Sequence, residues 1–417
     1  MSARPASTTA NRHVAETTHA QVTSITLADV DERLQQLMDE SLRKAAQVDD
    51  RFVQLWQALR TGIGGGKRVR PALLIDTFTA LGGPEQHREA CIEAAAALEM
   101  LHAAFLLHDD LIDGDLLRRG RPNAIAEFSA RGNAHAAGAG SSWGLAAGAL
   151  GGDLLLSSAI RRLAGVRVED RLRERLLDEF DETIHLSAAG ELADVTQSLR
   201  SEETQSTVRL LPPEVRPSHG KKTRCTVQQN TAPSSRSTAP AQVASVPPLA
   251  DDALSQIEQT LELKTARYSF VAPVRIGAML AGADARQIAH LSDMARHAGI
   301  AFQLTDDLIG VFGNAEITGK STKVDLQRGT RTALIAVAQH TAVWAELETM
   351  IGDPTLDDAR ACRARDLLNA CGAREAVELR ARDHLHVSRR LLEDESLSER
   401  LRDCMQTHLD AIAGRQR

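Results

Sequence analysis

An all-α fold is the class this sequence predicts, and three observations carry the prediction. Hydrophobic residues make up 43% of the 417 positions and charged residues 25%, enough for a sizeable core and too apolar for wholesale disorder. Aromatics reach only 3%, with a single tyrosine, which is poor material for sheets. Apolar residues recur at helical spacing along most of the chain, while no stretch alternates convincingly or resembles a βαβ series. The same figures narrow the function. A net charge of −7 disfavours a generic polyanion binder, and few aromatics disfavour base stacking, so no nucleic-acid partner is expected. Five cysteines without a C-x-x-C pair suit a reduced, cytoplasmic compartment. No run approaches the ~18 uninterrupted apolar residues of a membrane span. The nearest, 136–160, is broken by glycines, Ser141, Ser142 and Asp153.

Residues 1–26 read as a flexible polar tail without the apolar centre of a secretory signal. The rest, 27–417, reads as one domain. Asp29 can cap a first helix that carries Val30, Leu34, Leu37 and Met38 on one face. A glycine loop at Gly64-Gly65-Gly66 stops the next helix, and Pro71 suits the first turn of the one after. Residues 72–108 predict two helices split at Gly82-Gly83-Pro84, the second rich enough in alanine and leucine to be buried. Further helices are expected over roughly 144–163, 169–195, 251–281, 285–310, 331–350, 358–369, 373–392 and 396–413. One segment breaks the pattern. From about 197 to 250 the chain is rich in Pro, Ser and Thr, with Arg209, Arg216, Lys221, Lys222, Arg224 and Arg236 against few acids. Such composition predicts a disordered surface insertion, or a basic docking segment.

The chemistry concentrates at the ends of two apolar helices. Asp109 and Asp113 stand four apart on one helical face with Asp110 beside them. Three crowded carboxylates repel unless a cation neutralises them, and hard oxygen ligands without thiolates suit Mg²⁺. Taken alone, the cluster could be a solvated helix end paired with Arg118 and Arg119. Asp306 and Asp307 weaken that reading by repeating the arrangement almost two hundred residues later. Two such clusters facing one cavity could hold a pyrophosphate between several divalent ions. Lys67 and Arg70 follow three glycines at a helix start, a plausible anion site. Lys264 and Lys320 add cations near the clusters.

These segments resemble the trans-isoprenyl diphosphate synthases of the polyprenyl synthetase family. The motifs are GGGKRVRP, LHAAFLLHDDLID with RRGRP, GELADV, ELKTARYSF, and FQLTDDLIG with GKSTKVDL. The resemblance runs from about residue 28 to the C-terminus, outside the insertion. It implies an isoprenoid synthase fold, antiparallel helices around a deep central cavity, and a homodimer. It also implies Mg²⁺-dependent head-to-tail condensation of isopentenyl diphosphate with allylic diphosphates. By the same resemblance Asp109, Asp110, Asp113, Asp194, Asp306 and Asp307 are metal ligands for about three Mg²⁺. Arg118, Lys264 and Lys320 hold the allylic diphosphate, and Lys67, Arg70, His102 and Arg119 the isopentenyl diphosphate. Gln303 and Thr265, with Lys264, line the reacting carbon. The departing pyrophosphate takes the final proton, so no side-chain base is needed.

Two positions depart from the family pattern. Gly310 stands where many members have a fifth-position aspartate, and Thr330 where a phosphate-binding lysine is usual. Arg331 stands next to Thr330. Ala104 and Phe105, one turn before Asp109, are expected to limit chain length, favouring geranylgeranyl diphosphate with farnesyl diphosphate next. Two alternatives stand beside this reading. Thr330, Gly310 and the insertion suit a non-catalytic or weakly active regulatory subunit of the same family. A class I terpene cyclase also ionises a prenyl diphosphate with aspartates and Mg²⁺, but would be expected to carry an Asn/Ser/Glu metal motif in place of Asp306-Asp307, and more aromatics.

Overall fold

The computed structural model describes residues 24–210, 248–313 and 323–415. The polar tail before 24, the centre of the insertion and Lys320 lie outside the described residues. Helix α1 (Leu27–Ala45) opens with a capping box in which Thr26, rather than Asp29, is the N-cap. The Thr26 hydroxyl accepts from the Asp29 N–H, while the Asp29 carboxylate accepts from the Thr26 N–H at 2.7 Å. Asp29 caps from the third position. Helices α2 (Asp50–Ile63) and α3 (Val69–Ala80) flank the glycine loop, and a 3₁₀ turn, Glu85–His87, leads into α4 (Arg88–Asp113). α4 is apolar nearly all round and central: Ala94, Ala95, Ala96, Ala97 and Leu98 are fully buried.

Beyond α4 the sequence predicts no element before 144, yet a hairpin and a helix form there. Leu117–Arg118 and Arg121–Pro122 pair as a minimal antiparallel hairpin, β1 and β2. Its two-residue loop, Arg119-Gly120, has φ of 53° and 72°. Positive φ at both positions is the turn that suits hairpin twist. Asn123 then caps α5 (Ala124–His135), its side chain accepting from the Ala126 N–H at 3.0 Å. α6 (Gly140–Ala164) and α7 (Asp170–Leu210) follow. The backbone of α7 stays helical through Leu210, past the onset of the insertion read from composition.

The chain returns in α8 (Pro248–Leu261), continues as a π-helical stretch over Glu262–Val271, and resumes α geometry in α9 (Ala272–Ala281). The expected helix over 251–281 is therefore one rod with a wider central turn. After α10 (Ala285–Phe312) come the short helices α11 (Val324–Arg328), α12 (Ala333–Ala338) and α13 (Trp344–Leu347). The sequence predicts one helix over 331–350; turns over 339–343 divide it. α14 (Asp358–Ala370), α15 (Ala373–Leu392) and α16 (Glu399–Gly414) close the fold.

Two apolar clusters form the core. One gathers α1 to α6, α9 and α16 around α4; the other gathers α8, α12 and α14 with the end of α10. α10 contributes to both, so it carries its C-terminal aspartates on a doubly anchored rod. Among the described residues, two helical segments are long and apolar enough to cross a membrane by length and composition, Glu85–Asp113 and Gly140–Ala164. The first is mostly buried inside the protein, as a core helix should be. In the second only 39% of the apolar window is buried, leaving Leu145, Leu150 and Ile160 exposed.

Candidate active site

The three aspartates at the end of α4 have different surroundings. Asp110 is buried, and both of its oxygens are engaged: Arg118 Nε donates to Oδ1 at 2.9 Å, and Asn123 Nδ2 to Oδ2 at 2.9 Å. Burial pushes its carboxyl above the ordinary range, against the pull of the Arg118 hydrogen bond. Asp109 accepts from Arg118 at 3.1 Å and lies 3.4 Å from Lys264 Nζ. Asp113 is exposed, although desolvation, with the Asp109 charge behind it, still raises its carboxyl. Arg118 thus pairs with the cluster, as the solvated-helix-end reading expects. Arg119 does not; it turns to donate to the Gly64 carbonyl at 3.0 Å.

Lys264 gathers the rest of the first cluster. Its ammonium donates to Asp194 at 2.6 Å and lies 3.1 Å from Glu191, both on α7. Desolvation opposes its charge, but Asp194, Asp109 and Glu191 hold the ammonium well above the usual lysine range. The local backbone makes this possible. A Cβ on Gly190 would lie 2.4 Å from the Lys264 backbone nitrogen, so only glycine lets α7 approach the π-helical stretch so closely. Extra π turns commonly mark functional sites, and this one carries Lys264 and half-buried Thr265 together.

The second cluster is built on α10. Gln303 Nε2 donates to Asp307 Oδ1 at 2.9 Å. Asp307 is buried, and desolvation, reinforced by Asp306 and Asp325, pushes its carboxyl up to about 7. Asp306 accepts from Arg415 at 2.6 Å, and that guanidinium also lies 4.2 Å over the Phe302 ring. Gly310 has a structural reason here: a Cβ would stand 1.9 Å from Asp325 Oδ2. A carboxylate from α11 fills the space that a side chain at 310 would take. α11 also ties the two clusters together. Arg328, one turn after Asp325, pairs with Asp115, two residues beyond Asp113. One helical turn, about 5 Å of rise, therefore has the second cluster at one end and the first at the other.

A group of cationic and imidazole side chains adjoins the first cluster. Arg70 donates to Ser269 at 2.7 Å and lies 4.6 Å over the Tyr268 ring, with its Nε buried and unpartnered. The buried Nδ1 of His102 also lacks a partner. Desolvation, then the charges of Arg70, Arg119, Arg118 and Arg68, hold its imidazole well below the ordinary value, so His102 is neutral. Lys67 is exposed on the glycine loop. Arg68 takes another role. At φ 49° it starts α3, held by buried Glu99 at 2.6 Å and by Asp31 at 2.8 Å. Phe105 meets Tyr268 edge-on at 5.2 Å, while Ala104 is wholly buried. Thr330 is exposed, and Arg331 has a buried Nε without a partner.

Sequence reasoning missed Glu191, Tyr268, Arg415, Asn123 and Asp325. Asn123 ahead of an apolar Ala-Ile-Ala stretch and Glu191 one turn ahead of Asp194 were readable signals. Arg415 and Asp325 reach the site only through tertiary packing.

A profile described as Polyprenyl synthetase matches residues 53–223 and 235–367. The chain is 28% identical over 332 residues to the geranylfarnesyl diphosphate synthase of Aeropyrum pernix, covering 79% of this chain and 83% of that one. It is 26% identical over 381 residues to the geranylgeranyl diphosphate synthase of Methanosarcina mazei, covering 89% and 94%. With the (2E,6E)-farnesyl diphosphate synthase of Mycobacterium tuberculosis it shares 30% over 330 residues, covering 77% and 71%. Among solved structures, a geranylgeranyl pyrophosphate synthase from Corynebacterium glutamicum, complexed with isoprenyl diphosphate and magnesium, matches with a TM-score of 0.74. That match covers 93% of this chain and 97% of the other at 24% identity, and it shows the isoprenoid synthase fold. The chain belongs to the polyprenyl synthetase family and is a trans-prenyltransferase, a prenyl diphosphate synthase that condenses isopentenyl diphosphate.

Proposed function

We propose that this synthase is Mg²⁺-dependent and makes a short all-trans product, geranylgeranyl diphosphate first and farnesyl diphosphate next. The observation that carries the reading is α11, which brings Asp325 beside the second aspartate cluster and Arg328 beside the first. The donor set fits Mg²⁺: hard carboxylate oxygens, with no thiol or imidazole among them. Asp109, Asp113 and Asp194 would hold metal on one side, Asp306 and Asp307 on the other, for about three ions. Asp110, set behind Arg118, positions that arginine. Asp325 supplies the acid that Gly310 lacks. Bound Mg²⁺ would stabilise negative charge on the leaving pyrophosphate.

The chain's own residues do the rest. Arg118, Lys264 and Lys320 grip the allylic diphosphate, and Arg331 takes the part of the lysine replaced by Thr330. Lys67, Arg70, Arg119 and neutral His102 bind isopentenyl diphosphate, the guanidiniums supplying charge and the imidazole a hydrogen bond. Gln303 and Thr265 line the reacting carbon, and the departing pyrophosphate accepts the proton. Phe105, braced against Tyr268, closes the path of the growing chain. The exposed apolar face of α6 supports a homodimer. Asp109→Ala and Asp306→Ala test the metal clamp: turnover should fall by several orders of magnitude, and near-normal activity in either variant would sink it.

The Arg415 guanidinium, seated on Asp306, occupies the place a metal would take there. Steady-state assays of Arg415→Ala test this: activity should hold or rise and the Mg²⁺ requirement should fall without that cation. A collapse of activity would instead assign Arg415 to the catalytic machinery.

A further inference from the structure

Helix α16 is held to the body of the protein by an apolar face of Leu401, Met405, Leu409 and Ile412, all buried. At the edge of that face three side chains of another kind converge. Cys404 and His408 stand four residues apart, one above the other on α16. Asp76, a lone carboxylate between buried Ile75 and Thr77, meets them from α3. The ligand atoms of the three lie within 4.8 Å of one another, and His408 Nε2 is 2.7 Å from Asp76 Oδ2. All three are half-buried, so an ion could enter from solvent. None belongs to the aspartate clusters or to the group around Arg70 and His102.

We propose that Asp76, Cys404 and His408 form a binding site for a borderline-soft divalent cation, Zn²⁺ in kind, that staples α16 onto α3. The chemistry of the donors selects the ion. A thiolate, an imidazole and a carboxylate match Zn²⁺ or Co²⁺, whereas Mg²⁺ prefers an all-oxygen shell and waters. Tetrahedral ligation at about 2.0–2.3 Å separates donor atoms by roughly 3.3–3.7 Å. The ligand atoms, within 4.8 Å of one another, stand within about 1 Å of that spacing. The charges also balance: the Cys404 thiol releases its proton to solvent on binding, and thiolate plus carboxylate neutralise the dication. Three protein ligands leave a fourth position for water. The consequence is local. A cation here fixes the helix whose end, through Arg415, reaches Asp306.

The test uses the full-length protein, stripped of metal by chelator and returned to excess Mg²⁺ so that hard carboxylate sites are filled. Co²⁺ is titrated in while near-ultraviolet absorption from thiolate-to-cobalt charge transfer is followed. The site predicts a band that saturates at one Co²⁺ per chain and is bleached by Zn²⁺. Cys404→Ser should abolish the band. Asp76→Asn, which keeps shape and helix, should weaken binding by about 100-fold or more, judged against the loss seen when even outer ligands are removed. Far-ultraviolet circular dichroism verifies that both variants are folded. Folded wild-type protein without the band, or a band that survives Cys404→Ser, overturns the proposal.

Discussion

Gly310→Ala separates stability from catalysis in a way that the local geometry makes quantitative. An added Cβ would stand 1.9 Å from Asp325 Oδ2, whereas ordinary contact begins at 3.4 Å, so the carboxylate must withdraw by about 1.5 Å. Only the end of a flexible side chain has to move. The fold should therefore keep its stability, or gain up to about 1 kcal/mol from replacing glycine within a helix. Catalysis should not escape. Misplacing a reacting or ligand group by about 1 Å can cost 10²-fold, or about 2.7 kcal/mol in the barrier. We expect kcat to fall about 100-fold and the Mg²⁺ requirement to rise, while the urea midpoint holds or increases. Asp325→Asn should show the same kinetic defect. The assay is incorporation of labelled isopentenyl diphosphate across a Mg²⁺ series. Unchanged turnover and Mg²⁺ dependence in Gly310→Ala would refute the role given to Asp325.

The remaining predictions follow from other parts of the structure. Glu179 is 1% exposed and pairs with Arg267 at 2.9 Å and Arg275 at 2.6 Å, so Glu179→Gln takes the carboxylate from Arg275 and leaves Arg267 with the exposed Glu182. Denaturant unfolding should show a loss of roughly 3–5 kcal/mol; a loss below about 1 kcal/mol means the arginines find other partners. Asp307, lifted from 3.8 to about 7, holds a proton in the folded state that the unfolded chain has lost. Its contribution to the stability of the Mg²⁺-free protein is complete below pH 3.8 and disappears as pH rises through about 7. Calorimetry at pH 6 in buffers of different ionisation enthalpy should record proton release on Mg²⁺ binding, absent in Asp307→Asn. Phe105→Ala should lengthen the product, read by chromatography after dephosphorylation; an unchanged product removes Phe105 as the limit. Leu145→Glu with Leu150→Glu on the open face of α6 should give a monomer in light scattering, and a persisting dimer would move the interface elsewhere.

Periodicity alone marked α4, α6, α10 and α14 to α16, because each carries a long apolar face that burial demands. The all-α class followed directly. Shorter elements were hidden for identifiable reasons. β1 and β2 span two residues each and owe their shape to the Arg119-Gly120 turn. α11 and the division of α12 from α13 depend on packing rather than on pattern. The π-helical stretch leaves no compositional mark, since ELKTARYSF scans as ordinary helix; only the approach of Gly190 to Lys264 reveals why it is there. At the site, acid spacing exposed both aspartate clusters. What spacing could not convey was the division of labour within them. Asp110 turns inward to hold Arg118 and Asn123, and Asp109 shares Lys264 with Asp194 and Glu191. Gly310 looked like a missing ligand in sequence and proves to be room for Asp325 in three dimensions.

On this reading the two clusters act together on an allylic diphosphate through Mg²⁺. The most direct measurement incubates purified protein with labelled isopentenyl diphosphate and dimethylallyl, geranyl or farnesyl diphosphate in turn, with Mg²⁺ or with chelator. Elongated product is expected in Mg²⁺ and none in chelator, with chains that stop at geranylgeranyl diphosphate. No elongation from any primer by folded protein in Mg²⁺, or elongation that persists in chelator, would contradict it.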